Sequence, residues 1–202
     1  GLIYRSTNYG NTWSVASDTT EIYILSLVYC GNGVSLAGSG SSDGLLYRST
    51  NYGSTWTIAS NTPVGSILSL TYCGDGIALA GSSGSGFIFR STDSGSTWTT
   101  AVDLAEPNIR SLAYCGSGIV LAGSGNGGVI YRSTDYGVTW NTAVDTSEAH
   151  IYSITYCRNG IALAGSGNSG FIYRSTDRGS TWAIASDTTG ISIFSLAYCG
   201  DG

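Results

Sequence analysis

The sequence predicts an all-β fold: a β-propeller of four-stranded antiparallel blades, with about five blades in this chain, one of them incomplete, or an arc of a larger ring. Three observations lead there. The string from Tyr4 to Trp13 returns with small changes ending at Trp56, Trp98, Trp140 and Trp182, a step of 43 residues once and 42 thereafter. Each copy holds four apolar runs of strand length, separated by glycine- and serine-rich breaks. Glycine takes 30 of the 202 positions and charged residues only 10%, where an ordinary soluble domain has roughly 7% and 25%. That balance speaks against helix bundles and coiled coils.

Residues 66–103 serve as the template copy. Ile67 to Cys73 is a first strand, ended by Gly74-Asp75-Gly76, and Ile77 to Ala80 is a second, ended by a Gly/Ser cluster. Phe87 to Arg90 is a third, closed by the turn Asp93-Ser94-Gly95, and Thr97 to Val102 is the fourth. No room is left for a helix. One such sheet cannot bury both faces alone, whereas sheets stacked on their neighbours can. The whole chain then reads as a single domain with repeats at about 1–20 (half a blade), 21–62, 63–104, 105–146, 147–188 and 189–202 (half a blade).

The segments ending at Trp98, Trp140 and Trp182 fit the pattern S-x-D-x-G-x-T-W. A hydroxyl and a carboxylate two residues apart can accept from the exposed N–H groups of a tight turn, and glycine supplies its positive φ. The indole is expected to anchor the returning strand in the blade core. Structural box residues are thus Asp93, Asp135 and Asp177 with Trp98, Trp140 and Trp182, joined by Asn8 with Trp13 and Asn51 with Trp56, where an uncharged amide predicts weaker clasps. This pattern resembles the Asp-box, or BNR repeat, of sialidases, some glucan hydrolases, the sortilin receptor family and a photosystem assembly factor. The resemblance implies that the boxes join third and fourth strands on the propeller face away from the ligand site. It places the Cys-Gly-x-Gly turns on that same far face.

The opposite face is then built by the loops 39–44, 82–86, 124–128 and 166–170, and by the inter-blade loops 17–21, 60–65, 103–108, 145–150 and 186–190. The copies differ most in the second set, as a recognition surface on a rigid scaffold would and as relaxed loop tips also would. Asp18, Asn61, Asp103, Asp145 and Asp187 are equivalent positions there and form the candidate ligand-binding ring. Such oxygens suit sugar hydroxyls or a hard cation, but the preferred reading is that each caps its own turn. No cofactor is expected; calcium would fit such a ring but is not predicted. Glu21, Glu106 and Glu148, the only glutamates, are expected to be solvated.

Arg5, Arg48, Arg90, Arg132 and Arg174 precede every box, and their equivalence argues for packing against the neighbouring blade rather than for a carboxylate-gripping cluster. Cys30, Cys73, Cys115, Cys157 and Cys199 fall one blade apart, too far for disulfides, and read as buried free thiols. His150 is the only histidine, which excludes a multi-histidine metal site; a surface place is expected. Tyr9, Tyr52 and Tyr136, on the box turns, read as turn residues before sugar-stacking ones.

A formal charge of -5, with eight arginines and no lysine, would repel a phosphate backbone, so no nucleic acid is expected as partner. No apolar run reaches the ~18 residues of a membrane span and no secretory leader pattern opens the chain. Methionine is absent, which suggests a processed chain or a window of a longer one. Gly1 aligns with Gly44 and Gly202 with Gly76, so a last blade combining the two ends would lack its second strand. A longer repeat protein, or self-association with a neighbouring molecule, would complete it. No catalytic residue can be assigned. The functional expectation is a non-enzymatic recognition module at or outside the cell surface, binding a glycan or a protein through the inter-blade loops. The rivals are a glycoside hydrolase of sialidase type and an assembly or structural scaffold.

Overall fold

The computed structural model describes residues 1–200. These form eighteen strands and no helix. Four complete sheets each carry four antiparallel strands in chain order. The first comprises β3 (Ile24–Gly31), β4 (Val34–Ser39), β5 (Leu45–Ser49) and β6 (Thr57–Asn61). The second comprises β7 (Ile67–Gly74), β8 (Ile77–Ser82), β9 (Phe87–Ser91) and β10 (Thr99–Asp103). The third comprises β11 (Ile109–Tyr114), β12 (Val120–Ser124), β13 (Val129–Ser133) and β14 (Asn141–Asp145). The fourth comprises β15 (Ile151–Tyr156), β16 (Ala162–Ser166), β17 (Phe171–Ser175) and β18 (Ala183–Asp187). A two-stranded sheet, β1 (Leu2–Arg5) with β2 (Ser14–Asp18), precedes them.

The blades converge on their first strands. Each first strand touches the next one along the ring, and each second strand of the first three blades touches the first strand of the blade that follows. Such close approach needs a missing side chain. In the second strands, Gly38, Gly81 and Gly123 lie under Ile67, Ile109 and Ile151 of the next blade, where an added Cβ would fall 2.6, 2.6 and 2.7 Å from an isoleucine methyl. All three isoleucines are fully buried, each contributing about 1.5–3 kcal/mol of hydrophobic stabilisation. Serines of the first strands stitch the same seams: Ser26 Oγ donates to the Ile67 carbonyl at 3.2 Å and Ser69 Oγ to the Ile109 carbonyl at 3.1 Å.

The ends depart from the expected pattern. Residues 191–199, expected as a first strand, belong to no strand, because no second strand pairs with them. They nevertheless dock as first strands do. Ile193 N donates to the Ser166 carbonyl at 2.9 Å and Leu196 N to Ser153 Oγ at 3.0 Å, as Ile154 N does to Ser111 Oγ at 2.8 Å one blade earlier. At the other end β1 pairs with β2 alone, so the two ends do not build a joint fifth blade. The molecule is a propeller arc; Gly202 lies outside the described residues. Beside the half blade, Leu27 and Tyr29 of β3 stay exposed and line a cavity of about 450 Å³ with Ile3, Tyr4, Trp13 and Trp56.

Candidate functional site

The box turns are hydrogen-bonded clasps. In the second blade Ser91 Oγ donates to Asp93 Oδ1 at 2.8 Å and accepts from the N–H groups of Asp93 and Gly95 at 3.2 and 2.8 Å. Asp93 Oδ1 accepts from Thr97 N at 2.8 Å and Oδ2 from Thr97 Oγ1 at 2.6 Å. Where asparagine stands, the geometry persists and one donor reverses: Asn51 Nδ2 donates to Thr55 Oγ1 at 2.8 Å. Burial raises the carboxyl pKa of Asp177, but bonds from Thr181 Oγ1 and N, Ser175 Oγ and Ser180 N outweigh it and bring it down to about 2. The same balance lowers Asp93 and Asp135.

The indoles do not sit inside single blades. Trp98 packs with Leu36 of the preceding blade, and Trp140 and Trp182 join the clusters that hold Leu79 and Leu121. They are half-buried at the seams, and Trp13, beside the open end, is 63% exposed. The seam is where the box glycine meets the leucine of the neighbouring second strand, which leaves the indole to cover it from outside. The repeated arginines close the same seams. Arg5, Arg48, Arg90 and Arg132 each donate Nε to a box-turn carbonyl one blade on, Tyr52, Ser94, Tyr136 and Arg178, at 2.8, 2.9, 2.9 and 3.0 Å. Arg174, in the last blade, is exposed.

Box turns and Cys-Gly-x-Gly turns share one face, tied by the bonds Tyr52 N to Gly33 O, Ser94 N to Gly76 O and Tyr136 N to Gly118 O, each 2.8 Å. Antiparallel order puts the other two loop sets at the opposite end, where Gly40 N bonds Tyr23 O and Gly125 N bonds Asn108 O at 2.8 Å. Cys30, Cys73 and Cys115 are buried free thiols, their pKa pushed up by burial to about 11, 12 and 12. Cys157 is half-buried, whereas Cys199, at the open end, is exposed, unlike the buried thiol expected there. On the box face Tyr9 and Tyr52 are exposed, while Tyr136 is half-buried against Tyr114.

On the loop face Asp18, Asn61, Asp103, Asp145 and Asp187 each end a fourth strand and are exposed. Asp103, Asp145 and Asp187 accept on Oδ1 from the N–H two residues on, those of Ala105, Ser147 and Thr189, at 2.8, 3.0 and 2.8 Å. Each receiving residue has φ near +60°, so the carboxylate props up a strained turn. Two residues after Asn61 stands Pro63, which has no N–H to offer. Among the described residues no three His, Cys, Asp or Glu side chains come together as a metal site.

The glutamates are not solvated. Glu21 and Glu148 are 8% exposed, each with an Oε2 that has no hydrogen-bond partner among the described residues, and Glu106 accepts on Oε1 from Tyr131 OH at 2.9 Å. The equivalent tyrosines Tyr47 and Tyr173 feel the charges of Glu21 and Glu148. In the one complete seam without a glutamate, Val64 faces Phe89 in a wholly apolar cluster. Acid and phenol come and go together, a signal legible in the repeat alignment once the partners are known. Burial first, then the Glu106 bond and charge, push the Tyr131 phenol up to about 12. That direction disfavours the phenolate a tyrosine nucleophile needs, and recurrence of the pair in several seams suits packing.

At the mouth of the arc the first strands present unlike side chains. Leu25, Leu68, Arg110, Tyr152 and Phe194 occupy one repeat position. Arg110 Cζ lies 5.0 Å from the Tyr152 ring centre, and Tyr152 lies 4.8 Å from the Phe194 ring. His150 is half-buried rather than on the surface: its ring is 5.1 Å from Tyr152 and its Nδ1 bonds the Gly125 carbonyl of the preceding blade.

No protein-family model and no curated protein matches the chain. Solved structures do match in fold. YCF48 from Cyanidioschyzon merolae aligns with TM-score 0.70 at 18% identity over 98% of this chain and 69% of its own. The structure of a nidogen/laminin complex aligns with TM-score 0.73 at 13% identity, over 93% of this chain and 73% of that one. AFV00434, an ancestral GH74 enzyme, aligns with TM-score 0.65 at 20% identity over 79% of this chain. The chain spans only 23% of that enzyme and 55% of a YCF48 bound to D1 peptide. At these identities the likeness is one of fold.

Proposed function

We propose that the chain is part of a non-enzymatic recognition propeller that holds a protein or peptide partner on the face built by its inter-blade loops. The observation that carries this reading is the contrast between the two faces. The box face repeats one hydrogen-bonded clasp from blade to blade, whereas the loop face sets Leu68, Arg110, Tyr152 and Phe194 at a single repeat position, with Ser66, Asn108, His150 and Ser192 two residues before them. Unlike side chains held on a rigid ring of like scaffolds suit selective binding. The acids of this face serve structure: three aspartates cap turns and Glu106 holds Tyr131. Structures of YCF48 with a D1 peptide and of nidogen with laminin support a protein partner over a glycan. The low charge and the Ser, Thr and Gly content support a place at or outside the cell surface.

Peptide and glycan arrays probed side by side with the same labelled chain test this reading. Peptide binding that is lost on changing loop-face residues, and kept on changing the exposed box-face Tyr9, is the expected result. Hydrolysis of any arrayed glycan, or binding that depends on Tyr9, would overturn it.

A further inference from the structure

We propose that Arg110, with Tyr152 and His150 around it, is a receptor for a carboxylate carried by the bound peptide; this rests on the recognition reading above and names its ligand chemistry. Arg110 stands apart from the clasp arginines. Those of the half blade and the first three complete blades spend Nε on a backbone carbonyl. The Nε of Arg110 is buried and has no acceptor among the described residues, and its guanidinium lies instead over the face of Tyr152. A guanidinium offers five donors in a planar fork, and a buried donor without an acceptor calls for an explanation. Nε, packed beside Gly125, is out of a ligand's reach, but the two terminal Nη groups are neither fully buried nor hydrogen-bonded among the described residues, and laid against the aromatic ring they keep an edge able to grip a carboxylate through two parallel bonds.

The surroundings hold that geometry in place. His150 is fixed by its Nδ1–H bond to Gly125 and packs on the same tyrosine. Gly125 makes the room: a Cβ there would fall 2.6 Å from Asn108 Cβ and 2.8 Å from Arg110 Nε. Along the mouth the arginine is flanked by Leu68 on one side and by Tyr152 and Phe194 on the other. One cation in an apolar and aromatic row matches an extended peptide with one carboxylate between apolar residues. A polyanionic sugar fits less well, since the exposed Asp103, Asp145 and Asp187 rim the same face and the row has few groups to bond hydroxyls.

The carboxylate could belong to an acidic side chain or to the peptide's own C-terminus, and matched probes separate the two. Labelled decapeptides from a mixed library are made with an internal glutamate and an amidated end, with glutamine and an amidated end, and with glutamine and a free end. Binding is read by fluorescence anisotropy. The glutamine-amide form is expected to bind about tenfold or more weakly than one of the carboxylate forms, and Arg110→Leu should erase that difference. Leucine stands at the equivalent positions 25 and 68, so the variant fits the fold; Tyr152→Leu serves as the second variant and Arg158→Leu, on the other face, as the unaffected control. Peptide binding that is equal in all forms, or indifferent to Arg110→Leu, overturns the carboxylate site and leaves the recognition reading standing. Binding of an acidic oligosaccharide with no peptide bound overturns both.

Discussion

Arg90 Nε donates to the carbonyl of Tyr136 at 2.9 Å, a bond that spans the seam between the second and third complete blades. The same bond recurs 46 residues apart along the chain from Arg48 to Ser94 and from Arg132 to Arg178. It ties the third strand of one blade to the clasp of the next, so the box motif and the arginine before it act on different seams. The propeller is laced together on the box face by these bonds and wedged together at the axis by isoleucine on glycine.

Arg90→Ala therefore loses a charge-assisted bond and the packing of its stem, and should lower stability by about 1.5–3 kcal/mol. Arg174→Ala, at an exposed position, should cost less than about 0.5 kcal/mol. Denaturant midpoints of the two variants make the comparison. Equal losses would show that the lacing bonds contribute nothing of their own.

The box aspartates set the acid limb of stability. Their folded pKa lies below the unfolded carboxylate value, at about 2 for Asp177, so their contribution is complete above pH ~4. It drains away as pH falls through ~4 toward ~2. Asp177→Asn, which can adopt the Asn51 geometry, should lose the charge-dependent share of stability near pH 7 and flatten that part of the decline, so that the two proteins converge toward pH ~2. Thermal melts from pH 7 to pH 2 are the measurement; an unaltered acid slope would refute the assignment.

The Glu106–Tyr131 pair is predicted to be replaceable only as a pair. Tyr131→Phe should destabilise by about 1–2 kcal/mol by stranding the carboxylate, and Glu106→Val by a similar amount. The double variant, which copies Val64 and Phe89, should recover a coupling of about 1 kcal/mol or more. A double-mutant cycle in urea reads this directly, and simple additivity would rule it out.

Gly95 and Gly53 hold the same box position with φ of +80° and +74°, yet their surroundings differ. A Cβ at Gly95 would fall 2.3 Å from Leu36 Cδ2, whereas at Gly53 the nearest atom is 3.6 Å away in Trp56. Both alanine variants carry the left-handed strain of about 1 kcal/mol. Gly95→Ala should cost a further 1–3 kcal/mol or so for overpacking the seam, visible as a larger fall in melting temperature. Matching falls would mean that the blades yield at this contact.

Five copies of one repeat made the strands, the turns and the clasps readable in advance. Ser91, Asp93, Gly95, Thr97 and Trp98 satisfy one another within eight residues, so local chemistry alone specifies them. Seams are another matter. The glutamates read as solvated because nothing near them in the chain announces a tyrosine twenty-five residues on, as Tyr131 is from Glu106. The indoles, expected inside single blades, lie between them.

From residues alone came the all-β repeat and its blade length, since hydrogen bonds and alternating burial within one copy decide those, while the separation of clasp face from loop face was what the Asp-box resemblance implied. Which residues meet across copies depends on the angle at which sheets wedge around the axis. That angle put Ile67 over Gly38, Arg90 on the Tyr136 carbonyl and Arg110 on Tyr152. Residues 191–199 dock on the fourth blade yet form no strand, because a strand exists only where a neighbouring strand's backbone supplies its ladder of bonds.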